Sequence, residues 1–287
     1  MDIVKKRTRF FPSAAEDAQS SKLHADTPQT QSPSYALSFL DTDFMMRDEL
    51  RPVRLQLELL KPEIIQTELN IESTVVIYGS ARFKDSKTAK IYLDHIEDEA
   101  QKNPDAPDIA GKLKIARKDL ENSRYYDEAR KLGRLIASAG PDADGVQCVV
   151  STGGGPGIME AANRGAHDVN AKSIGLNIVL PHEQAPNPYI TPELSFQFHY
   201  FAIRKMHFLI RAKALIAFPG GFGTMDELFE TLTLVQTKKI KPIPILLFGK
   251  RFWQKVINFD ALVDAGTVSL EDLSLFHYVE TAEEGWA

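Results

Sequence analysis

Val149-Val150-Ser151-Thr152-Gly153-Gly154-Gly155-Pro156-Gly157-Ile158-Met159 decides the fold: a β-branched run breaks into a glycine cluster and passes at once into a segment with helical apolar spacing. The same grammar returns in Ile216-Ala217-Phe218-Pro219-Gly220-Gly221-Phe222-Gly223-Thr224. Outward from these two stretches, short apolar runs predict strands over 74–78, 147–151, 173–180, 214–218 and 243–248. Between and after them, helical patterns cover 158–169, 199–212, 224–236 and 252–264. Strands separated by helices predict an α/β doubly wound parallel sheet, Rossmann-like, whose ligands sit beyond the carboxyl ends of the strands.

The flanking segments read differently. Residues 1–34 carry Ser, Gln or Pro at 11 of 34 positions and show no apolar period, so a flexible tail is expected there. Over 35–71, Val53, Leu57, Leu60 and Ile64 recur at helical spacing around the breaks at Pro52 and Pro62, which predicts a helical arm. Such an arm can cover its own sheet or dock on a partner, and the pattern does not separate the two. The remaining 72–287 are expected to form one Rossmann-like domain that carries both glycine loops. Within it, 84–131 hold 22 charges in 48 positions, 11 of each sign, a balance expected of solvated helices and not of a binding patch.

Composition removes several classes of function. The 287 residues are 43% hydrophobic and 25% charged, as in an ordinary globular chain, and no membrane association is expected. With 34 Lys and Arg against 39 Asp and Glu, the net charge of -5 argues against a protein that grips nucleic acid by its phosphates. Cys148 is the single cysteine, which permits no internal disulfide and no thiolate cluster. The basic start, MDIVKKRTRFFPSAAEDAQ, contains no apolar run of signal-peptide length. Export is not expected, and a cytoplasmic location is.

A glycine turn feeding a helix lets backbone N–H groups and the helix dipole meet an anion at close range. Each loop is therefore a phosphate-site candidate, although glycines also serve where a turn simply needs positive φ. Standard nucleotide fingerprints do not fit: counted from Gly153, Gly155 or Gly221, the last glycine of G-x-G-x-x-G is replaced by Ile158, Glu160 or Asp226. A Walker loop ending at Gly249-Lys250 would need glycine where Pro244 stands, and Arg251 follows in place of Ser or Thr. The seven His form no H-E-x-x-H, so no metal is expected.

The stretches Gly153-Gly154-Gly155-Pro156-Gly157-Ile158-Met159 and Pro219-Gly220-Gly221-Phe222-Gly223-Thr224-Met225-Asp226-Glu227 resemble the G-G-G-x-G-x-M and P-G-G-x-G-T-x-x-E motifs of the LOG ("lonely guy") family. These are nucleoside 5′-monophosphate phosphoribohydrolases, often mislabelled lysine decarboxylases. The resemblance spans roughly 74–259, and the length and the arm are similar to the longer, higher-oligomer bacterial branch. It implies cleavage of the N-glycosidic bond of AMP or an N6-modified AMP of the cytokinin type, with no cofactor, in a homo-oligomer. It also implies Glu227 and Arg204 as catalytic residues. The cradle for the nucleotide and its 5′-phosphate would be Gly79 and Ser80, Gly153, Gly154, Gly155 and Gly157, and Gly220, Gly221, Gly223 and Thr224. Two features depart from the compact members: Glu160 stands where they carry glycine, and 84–131 is longer than their equivalent.

The chemistry suits these residue types. Ribosyl C–N cleavage builds positive charge on the sugar, which a carboxylate stabilises while it orients or deprotonates water. A guanidinium fork holds ribose or carboxylate oxygens in a fixed plane. Other readings stand beside these. Thr224-x-x-Glu227 also matches a capping box, and Arg204, seven residues before Arg211, also fits a solvated helix face. His199 and His207 read as surface or satisfied core residues. Met206, Phe208, Leu209 and Ile210 read as core, while Glu193 is placed within reach of the site. The competing function is a nucleotide or molybdenum-cofactor carrier that binds without hydrolysis. A pyridoxal-phosphate decarboxylase fits poorly, since no His-Lys dipeptide occurs.

Overall fold

The computed structural model describes residues 10–104, 106–141, 145–181 and 185–287. Parts of the expected tail (1–9) and of the charged stretch (Asp105), and the segments 142–144 and 182–184, lie outside the described residues. The chain divides after Leu57 into two compact units. The first holds α1 (Ala14–Ser20), closed by a Ser13/Glu16 capping box, and α2 (Thr42–Met45), capped by Asp41. Helix α3 (Arg51–Glu68) crosses the division.

The second unit is built on seven parallel strands in the order β4-β3-β2-β1-β5-β6-β7. They are β1 (Ser73–Tyr78), β2 (Cys148–Thr152), β3 (Ser173–Ile178), β4 (Ser195–Phe198), β5 (Ala212–Ala217), β6 (Ile245–Phe248) and β7 (His277–Val279). The doubly wound α/β expectation therefore holds. Starting at β1, the chain winds outward to β4, returns to place β5 beside β1, and winds outward again. That reversal opens the crevice in which such sheets bind ligands.

Burial follows from the alternation of side chains across a two-sided sheet. Val76 and Tyr78 enter one core with Phe208, Leu228 and Trp253, whereas Val75 and Ile77 enter the other with Tyr125, Ile158 and Phe218. On the first side lie α7 (Phe201–Ile210) and α8 (Phe222–Gln236); on the second lie α5 (Ile109–Ser138) and α6 (Ile158–His167). Before α5 comes α4 (Ser86–Lys102). The two charged helices pack on each other around Leu93, Ile96, Ile109 and Ala116 and are tied by Lys112–Glu99 and Arg117–Glu97, while Lys84, just before α4, reaches Asp119. Equal numbers of both signs are what such cross-helix pairing requires.

Several boundaries differ from expectation. The strands at 195–198 and 277–279 escaped notice because Ser195-Phe196-Gln197-Phe198 and His277-Tyr278-Val279 are too short and mixed to stand out from loops. The helix expected over 252–264 is two, α9 (Lys250–Val256) and α10 (Phe259–Asp264), because the Asn258 side chain accepts the Ala261 N–H and starts a new helix. A last helix, α11 (Ala282–Trp286), follows β7.

Pro62 does not end the arm: α3 runs through it. Proline has no N–H for the carbonyl four residues earlier. That carbonyl belongs to Glu58, and His207 Nε2 lies 3.1 Å from it, a hydrogen bond that requires the Nε2–H tautomer. His207 is thus a buried core histidine bonded through Nε2, while its Nδ1, 3.6 Å from Glu63, makes no hydrogen bond, and burial holds its pKa below the usual imidazole value. Ile65 and Leu69 pack into the sheet's first core, while Val53, Leu57, Leu60 and Ile64, the residues that gave the arm its period, remain exposed.

Candidate active site

Three turns meet where β1, β2 and β5 end. The Phe218 N–H donates to Tyr78 O at 2.8 Å, the Ser80 N–H to Pro219 O at 3.0 Å, and the Ile158 N–H to Ser80 O at 3.0 Å. Ser80 therefore stitches both glycine loops to the end of β1. Gly79 is required by closeness, because a Cβ there would fall 2.6 Å from the Ile158 side chain. Gly157, at φ 72°, is required twice over: its backbone is left-handed, and a Cβ would strike the Ser80 carbonyl.

A buried polar network fixes the first loop. Thr152 donates its hydroxyl to Asn163 Oδ1 at 2.7 Å and accepts the Gly154 N–H at 3.0 Å. The Asn187 amide donates to Gly154 O and Gly155 O, both at 3.1 Å, and to Asn163 Oδ1 at 3.0 Å. Two of the loop's N–H groups, those of Gly154 and Ile158, are thus already engaged within the protein. Sequence reasoning missed Thr152, Asn163 and Asn187. Only Asn163 left a trace, as a polar residue among the small apolar ones of Ile158-Met159-Glu160-Ala161-Ala162-Asn163.

The second loop is more open. Nothing lies within 4 Å of the position a Cβ would take on Gly221 or Gly223, and Gly221, at the cap of the 15-residue α8, has no side chain to cover the first-turn N–H groups. A long helix with an uncapped start is an anion site in waiting. Thr224 lies in the first turn, folded against Gly220 and buried. Phe222, between the glycines, is 94% exposed and stands at the rim.

The cap reading of Thr224 and Glu227 fails, since Gly221 and not Thr224 is the N-cap. Glu227 instead is buried, with Arg204 Nη2 3.8 Å from its Oε1. Arg204 is no solvated residue: its side chain is 13% exposed, between the rings of Phe201 and Phe208 at 5.6 and 5.2 Å. Its Nη2 also lies 3.4 Å from where a Cβ on Gly153 would sit, so the guanidinium spans from the carboxylate to the first glycine loop. Arg211 has other surroundings, donating to Ile71 O, Thr67 Oγ1 and Glu63.

Neighbouring residues hold this pair. Lys205 Nζ reaches Asp226 at 2.8 Å and Glu230 at 3.3 Å, clamping α7 to α8. Glu58 of α3 accepts the His199 and Tyr200 N–H groups at 2.7 and 3.1 Å, which secures the start of α7. Burial lifts the Glu227 carboxyl to about 7, against the pull of Arg204 and Lys205. Burial and the Glu227 charge together push the Tyr78 phenol above its ordinary value. A carboxyl poised near neutrality beside a guanidinium and two glycine loops can exchange a proton with water or stabilise a nearby cation.

A family model described as possible lysine decarboxylase matches residues 159–287, a span that contains Arg204, the second glycine loop and Glu227. The cytokinin riboside 5'-monophosphate phosphoribohydrolase LOG of rice, Oryza sativa subsp. japonica, is 29% identical over 163 residues, covering 56% of this chain and 64% of the relative. LOG3 of Arabidopsis thaliana, with the same activity in its name, is 27% identical over 168 residues, covering 57% and 74%. By their names, both relatives are LOG proteins, and this chain is similar to them at just under 30% identity. The chain spans under two thirds of the length of the rice LOG protein. Among solved structures, the molybdenum cofactor carrier protein of Chlamydomonas reinhardtii aligns with a TM-score of 0.41 and 16% identity over 75% of this chain and 94% of that one.

Against the LOG motif, the departure at Glu160 is turned onto α5, where Tyr126 donates its hydroxyl to the carboxylate at 2.7 Å. Glu193 is exposed, and of the four residues expected in core, Phe208 is buried, Leu209 partly so, and Met206 and Ile210 are about half exposed. Among the described residues no group of three or more His, Cys, Asp or Glu could hold a metal ion, and no helix is long and apolar enough to cross a membrane.

Proposed function

We propose that the chain hydrolyses the N-glycosidic bond of a nucleoside 5′-monophosphate, AMP or an N6-modified AMP, to the free base and ribose 5-phosphate. The observation that carries this reading is the buried Glu227 carboxyl, lifted to about 7, 3.8 Å from an arginine that reaches the first glycine loop. The names of the relatives favour the same reaction.

In this reading the 5′-phosphate rests on the uncapped start of α8, with Gly220, Gly221, Gly223 and Thr224 around it, and the first loop with Gly79 and Ser80 closes the other side. Arg204 holds the ribose. As the C–N bond breaks, its electron pair leaves with the base, and the ionised Glu227 stabilises the oxocarbenium ion. Water then bonds to C1′ and passes its proton to Glu227, while the departing base takes up a proton. A carrier needs the cradle but neither the arginine nor the poised carboxyl.

In this reading the protein is a cytoplasmic homo-oligomer of the longer-branch type; the exposed Val53, Leu57, Leu60 and Ile64 of α3 support the oligomer. The decisive experiment incubates the protein with a panel of nucleoside monophosphates and measures ribose 5-phosphate. Adenosine serves as the control without phosphate. Release from AMP-type substrates alone is expected; release from none overturns the reading.

A further inference from the structure

The charged stretch that the hydrolysis leaves unused forms one wall of a second cleft. Its volume is about 840 Å³, and it lies between α5 and α9. Neither Arg204, Glu227 nor the first glycine loop lines it; it meets the site described above only at Ser80 and Gly220.

Four cationic side chains enter this cleft, Lys118 and Arg124 from α5 and Arg251 and Lys255 from α9, against the carboxylates of Glu121 and Glu280. Lys118 pairs with Glu121 at 2.8 Å and Arg124 with Glu280 at 3.6 Å. Arg251 and Lys255 have no ion-pair partner among the described residues. Four residues apart on one helix, they share a face and present two charges held in no close ion pair, although Arg251 lies near enough to Glu121 to help lower its carboxyl's pKa. The apolar part of the lining is aromatic: Phe83 stacks on Tyr125 at 5.9 Å, and Phe252 stands between the two cations in sequence.

We propose that this cleft binds a phosphorylated aromatic small molecule of the nucleotide class, as a second ligand separate from the one at the glycine loops. Arg251 and Lys255 take the phosphate, and the rings of Phe83 and Phe252 take the base. The volume is that of a small-molecule site, and a net charge of -5 does not suit a nucleic-acid surface. The ligand would touch Ser80, whose N–H and carbonyl tie both glycine loops together, so its binding is positioned to alter the first site. The proposal does not rest on the hydrolytic reading.

The test is a fluorescence titration of the full chain with the methylanthraniloyl derivative of ADP, under conditions that need no turnover. Arg251→Glu/Lys255→Glu is expected to weaken one class of probe site at least tenfold. Lys118→Glu is expected to weaken the same class to a lesser degree, and Arg204→Ala to leave it in place. Arg251 and Lys255 are exposed, and an unchanged unfolding midpoint confirms that the fold survives. No probe binding to the wild-type chain overturns the proposal, as does a titration that Arg251→Glu/Lys255→Glu leaves unchanged. Loss of all probe binding in Arg204→Ala would also overturn it, because it would assign the probe to the glycine-loop site.

Discussion

Arg204 and Glu227 approach to 3.8 Å, near enough for strong attraction in a buried setting and too far for a hydrogen bond. The spacing is imposed from outside the pair. Lys205, next to Arg204, grips Asp226 and Glu230 on either side of Glu227, and Glu58 fixes the first turn of the helix that carries both basic residues. The charges are thereby presented side by side, with the first glycine loop against the arginine.

Replacing Arg204 by lysine keeps the charge but removes the planar fork and its stacking between Phe201 and Phe208. Ribose 5-phosphate release is expected to fall at least tenfold, while AMP binding weakens less, because lysine is a point charge where a fixed plane is needed. Equal turnover in Arg204→Lys would remove the residue from the catalytic set.

Gly157→Ala tests the joint between the loops. The added methyl meets backbone atoms of Ser80 and Ala81, which cannot rotate away, at a φ that L-residues rarely adopt. Strain of about 1–3 kcal/mol is expected, and a loop displaced by about 1 Å costs on the order of 100-fold in turnover. Thermal unfolding and the release assay on one preparation measure both. Normal values for both would mean that the loop tolerates the shift.

The doubly wound parallel class and both glycine loops were legible in the sequence, because β-branched runs ending in glycine mark strand-to-helix turns by local chemistry alone. The Arg204–Glu227 pair was named only through motif resemblance. What stayed hidden was long-range: Asn187 bonding back to Gly154 and Gly155, and His207 completing a carbonyl in α3, join residues distant in the chain without any periodic signal. Pro62 misled for the same reason, since its cost is met by a residue 145 positions later in the chain.

His207→Ala leaves the Glu58 carbonyl, already deprived of its helical partner by Pro62, without a donor. A loss of about 1–3 kcal/mol is expected from that carbonyl alone, with turnover reduced because α7 loses part of its hold on α3. If the orphaned carbonyl sets the cost, Pro62→Ala, which restores the helical N–H, recovers stability in the His207→Ala background, whereas no recovery would place the cost elsewhere. Urea unfolding of the single and double variants reads this coupling directly.

The exposed arm residues give a prediction about assembly. Leu60→Glu/Ile64→Glu places two charges on a helix face already open to water, so the subunit fold is expected to persist. Light scattering is expected to show a smaller particle than the wild type. A wild-type chain that is monomeric at active concentrations removes the oligomer from the reading.

Glu227→Gln carries the sharpest expectation, because its consequences for activity and stability point in opposite directions. Loss of the negative charge removes both the stabiliser of the oxocarbenium ion and the proton acceptor, so turnover falls by roughly 100-fold or more. In the wild type, kcat/KM is expected to rise with pH through about 7, as the buried carboxyl ionises. For stability, a carboxyl whose folded pKa lies above its unfolded value of 4.5 holds its proton longer in the folded state. Wild-type stability therefore declines as pH rises from the unfolded pKa to the folded one, and the decline is complete above pH 7. The shift corresponds to about 3 kcal/mol. Glutamine never ionises, so the variant is expected to match the wild type near pH 4 and to be more stable at pH 8. Melting temperatures at the two pH values and release rates on the same samples measure this. An active variant, or one less stable at pH 8, would show that Glu227 is not the buried, charge-bearing group on which the reaction depends.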